Sequence, residues 1–134
     1  MVSRVLGDEP RTQLLPLPLE ADDESAYAVY TKGTLARIAV LNLEVAPTSA
    51  ARPGPKSYSL PVPHHFKGAK VERLEGPGSY ATTNISYGGY SYDYEAGLGT
   101  PVPLKAKLDE FVRVTNGKLH FDVPASSAIL LTLF

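Results

Sequence analysis

Four stretches of this chain have the length and patterning of β-strands, and they limit its fold more than any other feature. They are residues 25–30, 35–45, 70–75 and 116–134. Ala26-Tyr27-Ala28-Val29-Tyr30 and Lys70-Val71-Glu72-Arg73-Leu74 alternate with period two, which sends successive side chains to opposite faces of a sheet. Residues 35–43 are apolar almost throughout, as burial on both sides requires, so this strand is expected to be central and buried. The last stretch carries Ser127-Ala128-Ile129-Leu130-Leu131-Thr132-Leu133-Phe134, and residues 128–133 are expected to be buried with it. A chain that stops inside an apolar strand is expected to be a terminal module. No stretch shows a convincing helical period of 3.6 residues.

Twelve prolines and eleven glycines fall between the apolar runs, where turns between short strands belong. Residues 12–19 are apolar but hold Pro16 and Pro18, which cannot donate to a ladder. That piece is an edge strand or an extended lead-in. Asp22-Asp23-Glu24 makes a turn, and Thr31-Lys32-Gly33-Thr34 makes a hairpin connection. Residues 46–55 read as an exposed loop, 57–62 as a short strand and 63–68 as a turn. Strands at 82–87 and 90–94 join at Gly88-Gly89, and 98–103 is another loop. Residues 109–115 and 118–123 flank Asn116-Gly117, the preferred pair for a type I′ hairpin. The expected fold is all-β: an antiparallel two-sheet β-sandwich of about eight to ten short strands. Residues 1–11 form a lead-in and residues 12–134 the single domain.

Composition narrows the function. At 134 residues, 43% hydrophobic and 20% charged, the chain is an ordinary globular sequence. A chain of this size buries roughly two-thirds of its unfolded surface, enough for a real core. The formal net charge of −1 gives no electrostatic footprint for nucleic acid or an anionic membrane surface. Without cysteine there is no disulfide, thiolate nucleophile or cysteine-based zinc site. No run approaches the roughly 20 apolar residues of a membrane span. Acids and proline interrupt residues 1–10, which therefore do not read as a signal peptide.

Among groups that carry chemistry, the densest cluster is aromatic. Tyr80, Tyr87, Tyr90, Tyr92 and Tyr94 are five of the eight tyrosines. Tyrosine offers a flat apolar face and a hydroxyl, which suits a sugar ring, and Gly88-Gly89 would set Tyr87 and Tyr90 on an exposed hairpin tip. Cross-strand packing of Tyr90, Tyr92 and Tyr94 on one face would give the same sequence. Both readings stand. His64-His65 lies in a turn with only His120 elsewhere, too few converging ligands for zinc. The carboxylates lie in turns or at strand edges, at Asp8-Glu9, 20–24, 93–95 and 109–110, while Glu44 ends a strand and Glu72 and Glu75 alternate outward on another. A glycosidase needs two of them on a rigid scaffold on either side of one bond. No nucleophile elbow and no phosphate-binding glycine loop is present, and no metal or cofactor is expected. Asn84-Ile85-Ser86 fits the glycosylation sequon, which has meaning only on a secreted chain.

Several motifs resemble, in order and spacing, the C-terminal β-domain of family 79 glycoside hydrolases, the β-glucuronidase group related to heparanase. They are Ala26-Tyr27-Ala28-Val29-Tyr30 with Gly33-Thr34-Leu35-Ala36-Arg37-Ile38-Ala39-Val40-Leu41-Asn42, then Lys70-Val71-Glu72-Arg73-Leu74-Glu75-Gly76-Pro77-Gly78. Ile85-Ser86-Tyr87-Gly88-Gly89-Tyr90-Ser91-Tyr92 and Val123-Pro124-Ala125-Ser126-Ser127-Ala128-Ile129-Leu130-Leu131 follow. The resemblance covers roughly residues 12 to 134. It implies an enzyme with a (β/α)8 barrel that carries both catalytic glutamates, and a sandwich packed on its side. It also implies secretion. No Asn-Glu pair, the family's acid/base context, occurs here, so no catalytic residue transfers. By this resemblance the chain is a truncated product or an isolated domain, without activity of its own. Family sandwiches also borrow a strand from the enzyme's N-terminus, whose loss would leave an unpaired edge. Three roles follow: an accessory domain that stabilises a barrel and edges its cleft through Tyr87, Gly88, Gly89 and Tyr90, a free-standing carbohydrate-binding module, or an adhesion sandwich. A broad apolar face would mark the first, and coplanar exposed aromatics the second.

Overall fold

The computed structural model describes residues 1–104 and 109–134. In chain order the elements are α1 (Val2–Leu6), β1 (Thr12–Leu17), β2 (Glu24–Thr31), β3 (Thr34–Asn42), β4 (Lys56–Pro61), β5 (Gly68–Glu75), β6 (Ser86–Tyr87), β7 (Tyr90–Ser91), α2 (Tyr94–Gly97), β8 (Val102–Pro103), β9 (Glu110–Thr115), β10 (Lys118–Val123) and β11 (Ser127–Leu133). Every described pairing is antiparallel.

Five strands lie side by side in the order β1-β2-β3-β11-β5. The far edge of β5 is then shared. Its first half pairs with β9, and its last residues, Leu74 and Glu75, pair with β6. From β9 the ladder passes to β10 and β4, and from β6 to β7 and β8. The fold is all-β and antiparallel, as expected. Where two separate stacked sheets were expected, β9 bonds to both β5 and β10, and the 11 strands make one network curled into a half-barrel.

The core lies inside that curl. Ala26, Ile38, Val40, Val71, Ile129 and Leu131 meet Tyr58, Leu119, Phe121 and Val123 from β4 and β10. The Tyr58 and Phe121 rings stack 5.6 Å apart at 16°. Burial, with the Glu24 carboxylate adding its charge, pushes the Tyr58 hydroxyl up to about 12. β3 and β11 are both central, so residues 38–40 and 128–131 are buried. The expected burial of residues 35–43 and 128–133 is only partial: Leu35, Ala36, Arg37, Leu41, Thr132 and Leu133 are half-buried. β3 stops at Asn42, and Leu43 is 54% exposed. Among the described residues, proline-bearing β1 pairs with β2 alone and is an edge strand, consistent with its missing donors.

Both short hairpins follow their turn chemistry. Lys32 and Gly33 have φ of 52° and 83°, and Asn116 and Gly117 have 51° and 74°. A type I′ turn needs positive φ at both central positions. The expected strand over 90–94 ends at Ser91, and Tyr94 opens α2 instead. Tyr90, Tyr92 and Tyr94 therefore do not share one strand face. α1 sits within the expected lead-in and is too short to leave a period in the sequence.

A charged cluster fastens β4 to the β1–β2 turn. Lys56 Nζ lies 2.8 Å from Asp23 and 3.0 Å from Glu24. The hydrogen bond from Lys56 holds the Asp23 carboxyl below its ordinary range. A carboxylate lowered on folding adds stability above its unfolded pKa of about 3.9. That stability is lost as pH falls through the folded value. The thermal midpoint should therefore decline as pH is taken from about 5 to 2, and Asp23→Asn should flatten part of that decline. Identical pH profiles for the two proteins would show that the pair contributes nothing.

Candidate functional site

The β6–β7 hairpin and the outward-facing part of β5 build the site. Gly88 and Gly89 take φ of 57° and 81°. The Gly88 N–H donates to the Arg73 carbonyl at 3.0 Å, folding the turn back onto β5. A Cβ on Gly88 would stand 3.2 Å from Glu72 Oε1, the movable end of a side chain, so it is the positive φ that calls for glycine here. Leu104 N–H donates to the Gly89 carbonyl at 2.9 Å and secures the other side of the turn.

Tyr87 is paired with Leu74 on one side and Tyr90 on the other. It is 5% exposed, which overturns the expectation of an exposed Tyr87 at a hairpin tip. β5 runs directly beside the hairpin, with Leu74 opposite Tyr87. The Tyr87 hydroxyl has no hydrogen-bond partner among the described residues. Burial pushes it up to about 12, and the Glu72 charge acts in the same direction.

Together with Tyr90, this hairpin walls a cleft of about 500 Å³, bordered by Arg4 of α1 and by Lys70, Glu72 and Arg73 of β5. Two ion pairs hold its rim. Lys70 Nζ meets Asp109 at 2.8 Å, and Arg73 grips Glu110 with two nitrogens at 2.8 and 2.7 Å. A third Arg73 nitrogen donates to the Asp122 carbonyl at 2.9 Å. The Glu110 hydrogen bond raises Arg73 further above its ordinary value, with burial opposing. Tyrosine faces beside fixed charges suit contact with a polar surface or a sugar.

The structure thus brings Tyr87, Gly88, Gly89 and Tyr90 together at one cleft. The other aromatics disperse: Tyr80 is exposed on a loop and Tyr94 at the start of α2, while Tyr92 reaches the cleft margin. Asn84 is exposed at φ 58°, its N–H donating to Asp93 Oδ2 at 2.6 Å. His64, His65 and His120 are exposed, the first two in the turn after β4. Among the described residues no group of three His, Asp or Glu side chains converges for a metal.

Sequence reasoning missed a second concavity. Leu41, Leu43, Val45, Leu74, Ile85 and Ala128 line an apolar groove of about 420 Å³. The apolar residues Leu41, Leu43 and Val45, spaced two apart across the end of β3, were its available signal.

The fold and the sequence have known relatives. The family model described as the glycosyl hydrolase family 79 C-terminal beta domain matches residues 26–130. The chain belongs to that family. A β-glucuronidase of Aspergillus niger is 35% identical to this family 79 domain over 147 residues, spanning 99% of the chain and 27% of that protein. A β-glucuronidase of Neurospora crassa is 31% identical over 122 residues, spanning 72% of the chain and 22% of that protein. The family 79 chain thus spans about a quarter of these curated relatives. The solved 4-O-α-L-rhamnosyl-β-D-glucuronidase of Fusarium oxysporum, in complex with Rha-GlcA, shares the fold. Its TM-score is 0.71 at 21% identity, covering 89% of this chain and 25% of that one.

Proposed function

We propose that this chain serves as the non-catalytic accessory domain of a secreted β-glucuronidase-like glycoside hydrolase, stabilising a (β/α)8 catalytic barrel. One observation carries the reading: 99% of the chain matches only 27% of a β-glucuronidase. In this reading the curled sheet works as a two-layer sandwich, β1-β2-β3-β11-β5 over β9-β10-β4. The turn over residues 87–90 edges the substrate cleft or the domain boundary, and Asn84 is an accessible glycan acceptor. The borrowed strand fits the edges of β1 and β4, each of which pairs with one strand only among the described residues.

The isolated chain should not hydrolyse an aryl β-glucuronide. Its rim carboxylates Asp109 and Glu110 are held in ion pairs with Lys70 and Arg73. Turnover by protein freed of host enzymes would overturn the accessory reading.

Tyr87→Phe separates the two roles of the turn. Removing a buried hydroxyl that has no partner should leave the isolated chain's thermal midpoint unchanged or slightly raised. In a full-length enzyme carrying this domain, a lowered midpoint with unchanged KM would assign the hydroxyl to domain contact. A raised KM at unchanged stability would assign it to substrate. A large loss of stability in the isolated chain would contradict the structure around Tyr87.

A further inference from the structure

The net charge of −1 hides an uneven distribution. Residues 45–71 and 111–121 contain no Asp or Glu, so all 14 carboxylates lie elsewhere, while all 3 histidines lie within these two segments. The fold brings the segments together. The Val62 N–H donates to the Gly117 carbonyl at 3.0 Å, and the Val114 N–H donates to the Lys67 carbonyl at 3.0 Å. The connection after β4 and the β9–β10 hairpin therefore form one end of the molecule.

Register decides what that end shows. On β10, Leu119 and Phe121 are buried, while Lys118 and His120 are exposed. Lys118 pairs with Thr115 of β9, and His120 pairs with Ser59 of β4, so these four side chains share the outer face of their layer. Arg113, two residues before Thr115, joins them there. Lys67 is exposed in the adjoining connection. Among the described residues Lys67, Arg113 and Lys118 form no ion pair. The acids that flank the hairpin are already engaged: Asp122 accepts from Ser57 Oγ at 2.7 Å, and Glu110 is gripped by Arg73. Cations left without counterions on one surface attract an anionic partner.

We propose that this end of the domain binds an anionic polysaccharide, a polymer bearing uronate sugars, through Lys67, Arg113 and Lys118. The choice of a sugar polymer rests on the accessory-domain reading, which attaches the chain to a β-glucuronidase-like enzyme. Charge density selects it over other polyanions. Three cations fall short of the cluster of about four to eight that holds a protein on anionic lipid. Duplex nucleic acid carries a charge about every 1.7 Å and is gripped through roughly six to ten phosphates. Here Ser59, Thr115, Asn116 and His120 stand among the cations and offer hydroxyl, amide and imidazole hydrogen bonds instead of charge. That mixture suits a polymer whose carboxylates are separated by hydroxyl-bearing rings. Each exposed ion pair adds little, so binding is weak per site and gains from repetition along the polymer.

The test passes the whole chain over immobilised hyaluronan, which carries one glucuronate per disaccharide, at about 10 mM salt, where charges act over about 30 Å. The chain should be retained, should elute as salt rises to about 150 mM, and should pass neutral dextran without delay. Arg113→Gln with Lys118→Gln should weaken hyaluronan binding roughly three- to tenfold. Both positions are exposed, so the thermal midpoint should stay within about 2 °C. Arg11→Gln with Lys32→Gln removes the same charge outside this end and should bind as the parent chain does. Equal losses in the two variants would mean that net charge alone governs binding, and would overturn the site. Equal retention on dextran, or none on hyaluronan, would overturn it too. Binding to phosphatidylserine vesicles that exceeds binding to hyaluronan would assign this end to a membrane surface instead. None of these results bears on the accessory reading, which turnover of the aryl β-glucuronide tests.

Discussion

Leu131→Ala should destabilise the domain by about 2–5 kcal/mol, the range for truncating a fully buried leucine. Leu131 is 0% exposed at the middle of β11, hydrogen-bonded between Ile38 of β3 and Val71 of β5. Its side chain belongs to the core cluster shared with β4 and β10. The cavity would open where layers meet, with strands on both sides fixed by ladder bonds and unable to collapse inward. For a domain of this size about 1 kcal/mol corresponds to some 3–4 °C, so the midpoint should fall by about 6–20 °C. Calorimetry checks it. A fall of under about 3 °C would mean that β11 is not the central buried strand.

Asn42→Ala should be nearly as damaging for a different reason. Asn42 is a polar side chain at 0% exposure at the end of β3. Its Nδ2 donates to the Val123 carbonyl at 3.0 Å, and its Oδ1 accepts from the Glu44 N–H at 3.1 Å. It thereby fixes β10 to β3 and sets the path of the chain leaving β3 toward the groove. Each buried group left unpaired costs about 1–3 kcal/mol. Asn42→Leu preserves more volume than alanine but restores neither bond, so both variants should shift the urea midpoint strongly. If Asn42→Leu matches the parent protein, the bonds contribute little and the site is one of packing only.

The sequence made the periodic parts of this fold legible. Alternation marked β2 and β5, the Asn-Gly pair marked the β9–β10 hairpin, and proline marked β1 as an edge strand. These signals are local, set by side-chain period and by φ. The continuity of the ladder was not legible. Whether β9 pairs with β5 as well as β10 depends on how far β5 extends past its contact with β6, and no local pattern encodes that. The turn at Gly88-Gly89 was legible for the same reason as the other hairpins. The burial of Tyr87 was not, because it depends on β5 lying alongside. Arg4 at the cleft was equally hidden, since it arrives on a single helical turn. Leu43 and Val45 were in plain view but looked like the end of a buried strand.

The place of β11 has a consequence for how the domain is made. β11 is the last of its strands to be synthesised, yet it separates β3 from β5 at the centre of the layer. Until residues 127–133 leave the ribosome, β3 and β5 cannot be bridged, and both keep open edges lined with apolar side chains. Formation of this half of the structure must wait for the final segment and then join regions far apart in the chain, an inherently slow topology. The nascent domain therefore passes through an interval of stickiness in which unsatisfied edges can capture one another. Loss of even the last strand would make that interval permanent, so chains shortened at this end should accumulate as aggregates or be degraded rather than persist as smaller folded domains.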